Sequence, residues 1–135
     1  MIKEFNSLEE IQKYYDKETN TYVFKENDGY IGLVVFNFDL DVKANIDAMN
    51  INALNIIAKN IDARDIYASD IKAYNINALS IEAMDISASD INVNDITYYA
   101  ICFAYNNIKC KSIKGRRNNA KHFVLDGKLE VENNE

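Results

Sequence analysis

A mainly β fold wound as a solenoid is what this sequence predicts, and three observations predict it. From Asn45 to Phe103 isoleucine returns at every fifth position: Ile46, Ile51, Ile56, Ile61, Ile66, Ile71, Ile76, Ile81, Ile86, Ile91, Ile96 and Ile101. Alanine follows two residues after each of the first nine, from Ala48 to Ala88, and that slot then widens through Val93 and Tyr98 to Phe103. Asn, Asp or Ser stands before eleven of the twelve isoleucines.

A period of five excludes the other regular structures. On an α-helix a step of five advances the side chain by about 140°, which smears isoleucine around the cylinder and leaves no apolar stripe. A flat strand fails because the alternation of two holds only from Ile to Ala and then breaks. A short extended piece with both ends inward, followed by a two-residue corner, satisfies the pattern. Such units bury their inward side chains only against neighbouring copies, which defines a solenoid. Asn and Asp suit the corner because they tolerate left-handed and turn conformations, and stacked Asn can form amide ladders. A large residue alternating with a small one fills a narrow lumen.

The 135 residues read as one domain with four stretches: 1–43, 44–103, 104–131 and a tail at 132–135. The first is expected to cap the solenoid. Ser7-Leu8-Glu9-Glu10 is a capping box, predicting a short helix to about Tyr15 with Leu8, Ile11 and Tyr14 or Tyr15 buried. Thr21 to Lys25 and Tyr30 to Phe38 read as strands around the turn Asn27-Asp28-Gly29, with Phe36 and Phe38 in the Ile and Ala slots. After Ile101 the phase slips to Ile108 and Ile113, then Asn118 with Ala120 and Phe123 with Leu125. This predicts an irregular last coil closed by Asp126-Gly127 and a strand from Leu129 to Val131. There is no proline, no apolar run near 18 residues and no basic-plus-apolar leader at the N-terminus, so a cytoplasmic location is expected.

The [N/D/S]-I-x-A-x run resembles the pentapeptide-repeat family. That resemblance implies a right-handed quadrilateral β-helix with four pentads per square coil. The usual family repeat places its small residue two before the central Leu or Phe, whereas here it comes two after the isoleucine. The phrases YYAICFAY (Tyr98 to Tyr105) and CKSIKGRR (Cys110 to Arg117) are similar to those of small pentad-repeat proteins from phages and prophages of Gram-positive bacteria. The bacterial host's cytoplasm is the location this implies. Family members also dimerise, so a second copy, joined through the aromatic end at Tyr98, Tyr99, Phe103 and Tyr105, is one implied partner.

Nothing in the chain points to catalysis, a metal or another cofactor. The one histidine, His122, falls on the outer surface in the extrapolated phase, and its spacing from Cys102 and Cys110 is not a zinc pattern. Both cysteines are expected as reduced, buried thiols. Charge is more informative. The chain carries −6, yet Lys109, Lys111, Lys114, Arg116, Arg117 and Lys121 form a basic segment without an acid, leaving nine bases against 21 acids elsewhere.

With four pentads per coil, residues twenty apart stack. Asp62 then lies under Glu82, Asp65 under Asp85 and Asp70 under Asp90, an acidic stripe on a rigid rod. Leu54 with Tyr74, and Ile57 beside Leu79 with Tyr99, form an apolar surface of the kind that marks an interface. The resemblance adds that pentad rods act on DNA-handling enzymes by imitating duplex DNA. The expectation is therefore a non-enzymatic, phage- or prophage-encoded inhibitor of a host protein or nucleoprotein complex, such as a CRISPR effector, restriction enzyme or topoisomerase. Two alternatives stay open: a nucleic-acid binder using Lys109 to Lys121, and a structural or assembly protein of a phage. No membrane partner is expected.

Overall fold

The computed structural model describes residues 2–27 and 29–132. Its strands are β1 (Ile2–Phe5), β2 (Tyr15–Asp16), β3 (Thr21–Val23), β4 (Lys25–Glu26), β5 (Gly29–Tyr30), β6 (Leu33–Phe36), β7 (Leu40–Asp41), β8 (Asn45–Asp47), β9 (Asn50–Ala53), β10 (Asn55–Ile57), β11 (Asn60–Asp62), β12 (Asp65–Tyr67), β13 (Asp70–Cys110), β14 (Ser112–Gly115), β15 (Lys121–Val124) and β16 (Leu129–Val131). A 3-10 turn spans Leu8–Tyr14. The 41-residue β13 is a succession of extended pentads that rounds the corners without a break in assignment.

Apart from β2, antiparallel to β3, and the antiparallel pair β4 and β5, these strands stack in parallel as a solenoid of about six coils. At ~4.8 Å per coil the stack is on the order of 29 Å long. Ile46 pairs with Ile61 and Ile61 with Ile76, Ile51 pairs with Ile66 and Ile66 with Ile81, and Ile56 pairs with Ile71. Each step is fifteen residues, so a coil takes three pentads and the cross-section has three sides. The four-pentad square is corrected by this register. One large inward residue per side explains why: isoleucines from three sides already meet on the axis, and a fourth side would open a void along it.

The first face runs β3, β8, β11, the rungs of Ile76, Ile91 and Ile108, and β16. The second runs β1, β6, β9, β12, the rungs of Ile81 and Ile96, and β14. The third runs β7, β10, the rungs of Ile71, Ile86 and Cys102, and β15. From Ile46 to Ile96 every slot isoleucine is buried, as is every alanine from Ala48 to Ala88.

Departures from the predicted phase lie at both ends. Val34 and Phe36 pair with Ile51 and Ala53, so they, and not Phe36 and Phe38, hold the Ile and Ala slots. Phe38 packs edge-on against Phe36 instead, ring centroids 5.9 Å apart. Ser7 makes no side-chain cap bond, but the Glu10 carboxylate accepts from the Asn6 amide at 3.0 Å, so half of the capping box forms. Ile11 and Tyr14 are buried and Leu8 and Tyr15 are exposed. Lys25–Glu26 and Gly29–Tyr30 do form an antiparallel hairpin; Asp28 of its predicted turn lies outside the described residues, as does the tail beyond Glu132.

After Tyr98 one extra residue enters the corner, so Ile101 points outward and Cys102 with Ala104 point inward. One more residue enters before Ile108, and the corner between Ile113 and His122 is four residues longer than the repeat, so His122 pairs with Cys102 and Val124 with Ala104. Phe123 and Leu125, predicted inward, are therefore exposed, and half-buried His122 bonds through Nδ1 with the Tyr98 hydroxyl at 2.7 Å. Tyr98 is the largest fully buried side chain and fits only because its register partner is Gly115. A Cβ at that glycine would collide with Ala120 and come to 2.8 Å of the Tyr98 hydroxyl. Gly115→Ala should cost about 1–3 kcal/mol, read as a drop of several degrees in the thermal midpoint; an unchanged midpoint would refute this packing of Tyr98.

Candidate functional surface

Inward slots are spent on the lumen, so recognition falls to the corners and the outward slots. Among the described residues positive φ occurs only at Asn20 and Gly29. The repeat corners therefore use Asn and Asp for hydrogen bonding and not for a left-handed backbone. Asn75 donates to Asn60 at 2.6 Å and Asn60 to Asn45 at 2.8 Å, an amide ladder along one edge. An amide carries both donor and acceptor and passes the ladder on, whereas a carboxylate only accepts. Where Asp occupies a corner a donor sits above it: Ser80 on Asp65 at 3.0 Å, Asn107 on Asp90 at 3.3 Å and Ser112 on Asp95 at 2.8 Å.

Two corners break that rule. Asn50 lies under Asp65, and its buried Oδ1 has no partner. Asp70 meets Asp85 with no donor between them. Burial, then the Asp85 charge and the hydrogen bond the two carboxyls share once one is protonated, raise the Asp70 pKa above the ordinary aspartate range. The Asp85 carboxylate also accepts the Ile101 amide at 3.1 Å.

The fifteen-residue register redistributes the predicted acidic stripe. Asp62 lies on the first face beside Asp47, and burial followed by that neighbouring charge raises its pKa. Glu82 is on the second face, bonded to Arg116 at 3.0 Å. Asp65 and Asp90 stand at two further corners. Of the six acids only Asp70 and Asp85 stack, joined in one groove by Asp39 and Asp41.

The predicted apolar surface divides as well. Leu54 and Tyr99 share the second face, Ile57 and Tyr74 the third, and Leu79 stands beside Arg64 on the first. The basic residues encircle the last coil: Lys109 and Lys111 over the first face, Lys114, Arg116 and Arg117 over the second, Lys121 over the third. Lys109 pairs with Glu132 at 3.4 Å.

The second face presents Leu54, Tyr67, Met84 and Tyr99, exposed at 54%, 56%, 49% and 42%, around a groove of about 360 Å³ floored by Ala53, Ala68 and Ala83. Tyr67 and Met84 join Leu54 and Tyr99 only at a spacing of fifteen; the repeat contained them, but a spacing of twenty hid the grouping. Cys102, fully buried, has its thiol pushed up to about 12 by burial first and Cys110 second, which removes it as a thiolate nucleophile at neutral pH. Among the described residues no three His, Cys, Asp or Glu side chains gather to hold a metal, and no helix is long and apolar enough to cross a membrane.

No protein-family model, curated protein or solved structure matches this chain. What the structure shares with the pentad resemblance is a β-solenoid of stacked parallel strands.

Two corner substitutions test the acceptor rule. Asp65→Asn supplies a donor to Asn50 and should stabilise by about 1 kcal/mol. Asp70→Asn should stabilise by roughly 0.5 kcal/mol near neutral pH, as expected for removing stacked like charges. The sign follows from linkage. An acid whose pKa is raised by folding lowers stability, fully so once pH exceeds the folded pKa, and the penalty fades as pH falls towards the ordinary aspartate range of about 4. Urea titrations should therefore show the Asp70→Asn gain shrinking on acidification; a pH-independent gain contradicts the pairing.

Proposed function

We propose that this chain is a non-enzymatic binding protein whose second face docks on a host nucleic-acid-handling complex and blocks it. The observation that carries this reading is the continuity of one surface, on which Leu54, Tyr67, Met84 and Tyr99 run upward into Lys114, Arg116 and Arg117. Tyrosine, methionine and arginine are the residue types enriched in protein interfaces. The cations suit phosphates. A nucleoprotein presents both kinds of surface, and a regular solenoid offers a rigid face that loses little entropy on binding.

The finer form of the reading rests on the sequence resemblance: a phage or prophage origin and an anti-defence role against a CRISPR effector, restriction enzyme or topoisomerase. It takes the winding as right-handed, the usual sense of parallel crossovers, with residues 1–43 and the last coil as end caps. DNA mimicry draws little support from geometry, because the acids disperse over corners and faces and neutral amides interrupt them. Contact through the apolar groove, steered by charge, is the mechanism favoured.

Expressed in bacteria that carry one defence system at a time, the chain should restore plating of a susceptible phage against the targeted system, and affinity capture should recover that complex. Tyr67→Ala with Tyr99→Ala removes two outward rings without touching the lumen and should weaken capture at least tenfold, as loss of central aromatic anchors does. Restoration that survives this double change counts against the second face. A low-salt gel shift with naked nucleic acid that matches the affinity for the complex would favour direct phosphate binding by the basic coil instead.

A further inference from the structure

The third face has an order that docking through the second face does not use. Its outward residues stand in three columns. Along its leading corner lie Asp39, Asn55, Asp70 and Asp85, followed by Ile101 and Lys121. Down its centre lie Asp41, Ile57, Lys72 and Ser87, then Phe103 stacked under Phe123 with centroids 4.9 Å apart. Along its trailing edge lie Lys43, Lys59, Tyr74, then Tyr105 and Leu125.

Two features of this face call for a partner. Ile57, Tyr74, Ile101, Tyr105, Phe123 and Leu125 are all exposed on it, more large apolar groups than the surface of a solitary rod is expected to gather on one side. Its charges are also partly sorted, with Asp39, Asp70 and Asp85 on the leading corner, Lys43 and Lys59 on the trailing edge, Asp41 and Lys72 between them, and Lys121 at the far end of the leading corner. Among the described residues the ion pairs join Lys3 to Glu26, Lys109 to Glu132 and Arg116 to Glu82, so Lys43, Lys59 and Lys72 take no acid from their own chain.

We infer that a second copy of the chain covers this face, with two rods packed side by side and parallel about a two-fold axis along their length. That operation sets each leading column against the trailing column of the other copy. Asp39 then faces Lys43, Asn55 faces Lys59, Asp70 faces Tyr74, Ile101 faces Tyr105, and Lys121 lies along Leu125. The central column meets itself, bringing Phe103, Phe123 and Ile57 together at the sheet-to-sheet spacing of about 10 Å and setting Asp41 near Asp41 at the first coils. Lys72 lies near the axis, and its flexible stem reaches Asp70 of the second copy. An antiparallel arrangement would set Asp70 against Asp85 and leave Lys43 and Lys59 opposite Leu125 and Tyr105, whereas the parallel one brings an acid to Lys43 and to Lys72, so charge favours the parallel one. The interface is isologous and closes at two copies. It leaves the second face of each rod free.

Sedimentation equilibrium on the full chain tests this, and the expected mass is twice 15.5 kDa. Phe123→Glu with Leu125→Glu alters only outward groups and should yield monomers with an unchanged β circular dichroism spectrum. Asp39→Lys and Lys43→Asp should each weaken association about tenfold, as reversal of an interfacial charge does, and the two together should restore it. A wild-type chain that stays monomeric at its solubility limit overturns the proposal. So does a dimer that survives Phe123→Glu with Leu125→Glu, since its contact lies elsewhere, and so does a combined charge reversal that fails to restore association.

Discussion

Packing of three isoleucines around one axis is the constraint from which the rest of this structure follows. Each pentad contributes one large and one small inward side chain, so the coil can widen only until those chains lose contact. Closure after fifteen residues keeps the lumen filled, and the fifteen-residue step then sets every parallel strand pair along the rod. Where larger groups enter, at Tyr98 and the phenylalanines near the N-terminus, the coil adjusts by a longer corner or a glycine opposite. Gly115 under the Tyr98 ring is one such adjustment, and the cluster of Phe5, Tyr14, Phe24 and Phe36 is another.

The corners obey a second rule, set by hydrogen-bond supply. A column of amides satisfies itself indefinitely, and a column that mixes Asp with Ser or Asn stays balanced. A carboxylate above another lone acceptor does not. Asn50 under Asp65, and Asp70 with Asp85, are the places where the molecule departs from this economy. Both lie among the acids that a reading from composition assigns to a partner. Their local cost shows that a corner acid has structural consequences before any functional one.

Because lumen and corners absorb most of the repeat, function is confined to the outward slots, and their meaning depends on the number of pentads per coil. At twenty residues per coil Leu54 stands by Tyr74 and Asp62 under Glu82; at fifteen Leu54 shares a groove with Tyr67, Met84 and Tyr99, and Glu82 turns to Arg116. The side chains are the same and the surfaces are different. A change of one pentad in the coil regroups every exterior neighbour while leaving every interior assignment intact.

The amino-acid sequence by itself determined that this chain is a β-solenoid, that Ile and Ala face inward, and that Asn and Asp mark the corners, because a period of five with that polarity has no other low-energy arrangement. It placed the end of regularity after Ile101, a slot later than the structure, in which Ile101 already points outward. The tertiary structure alone decided the number of sides, since the corner angle is a property of backbone dihedrals and lumen volume that no residue period encodes. For the same reason it alone decided which of Phe123 and His122 turns inward, which acids meet, and which tyrosines share a face.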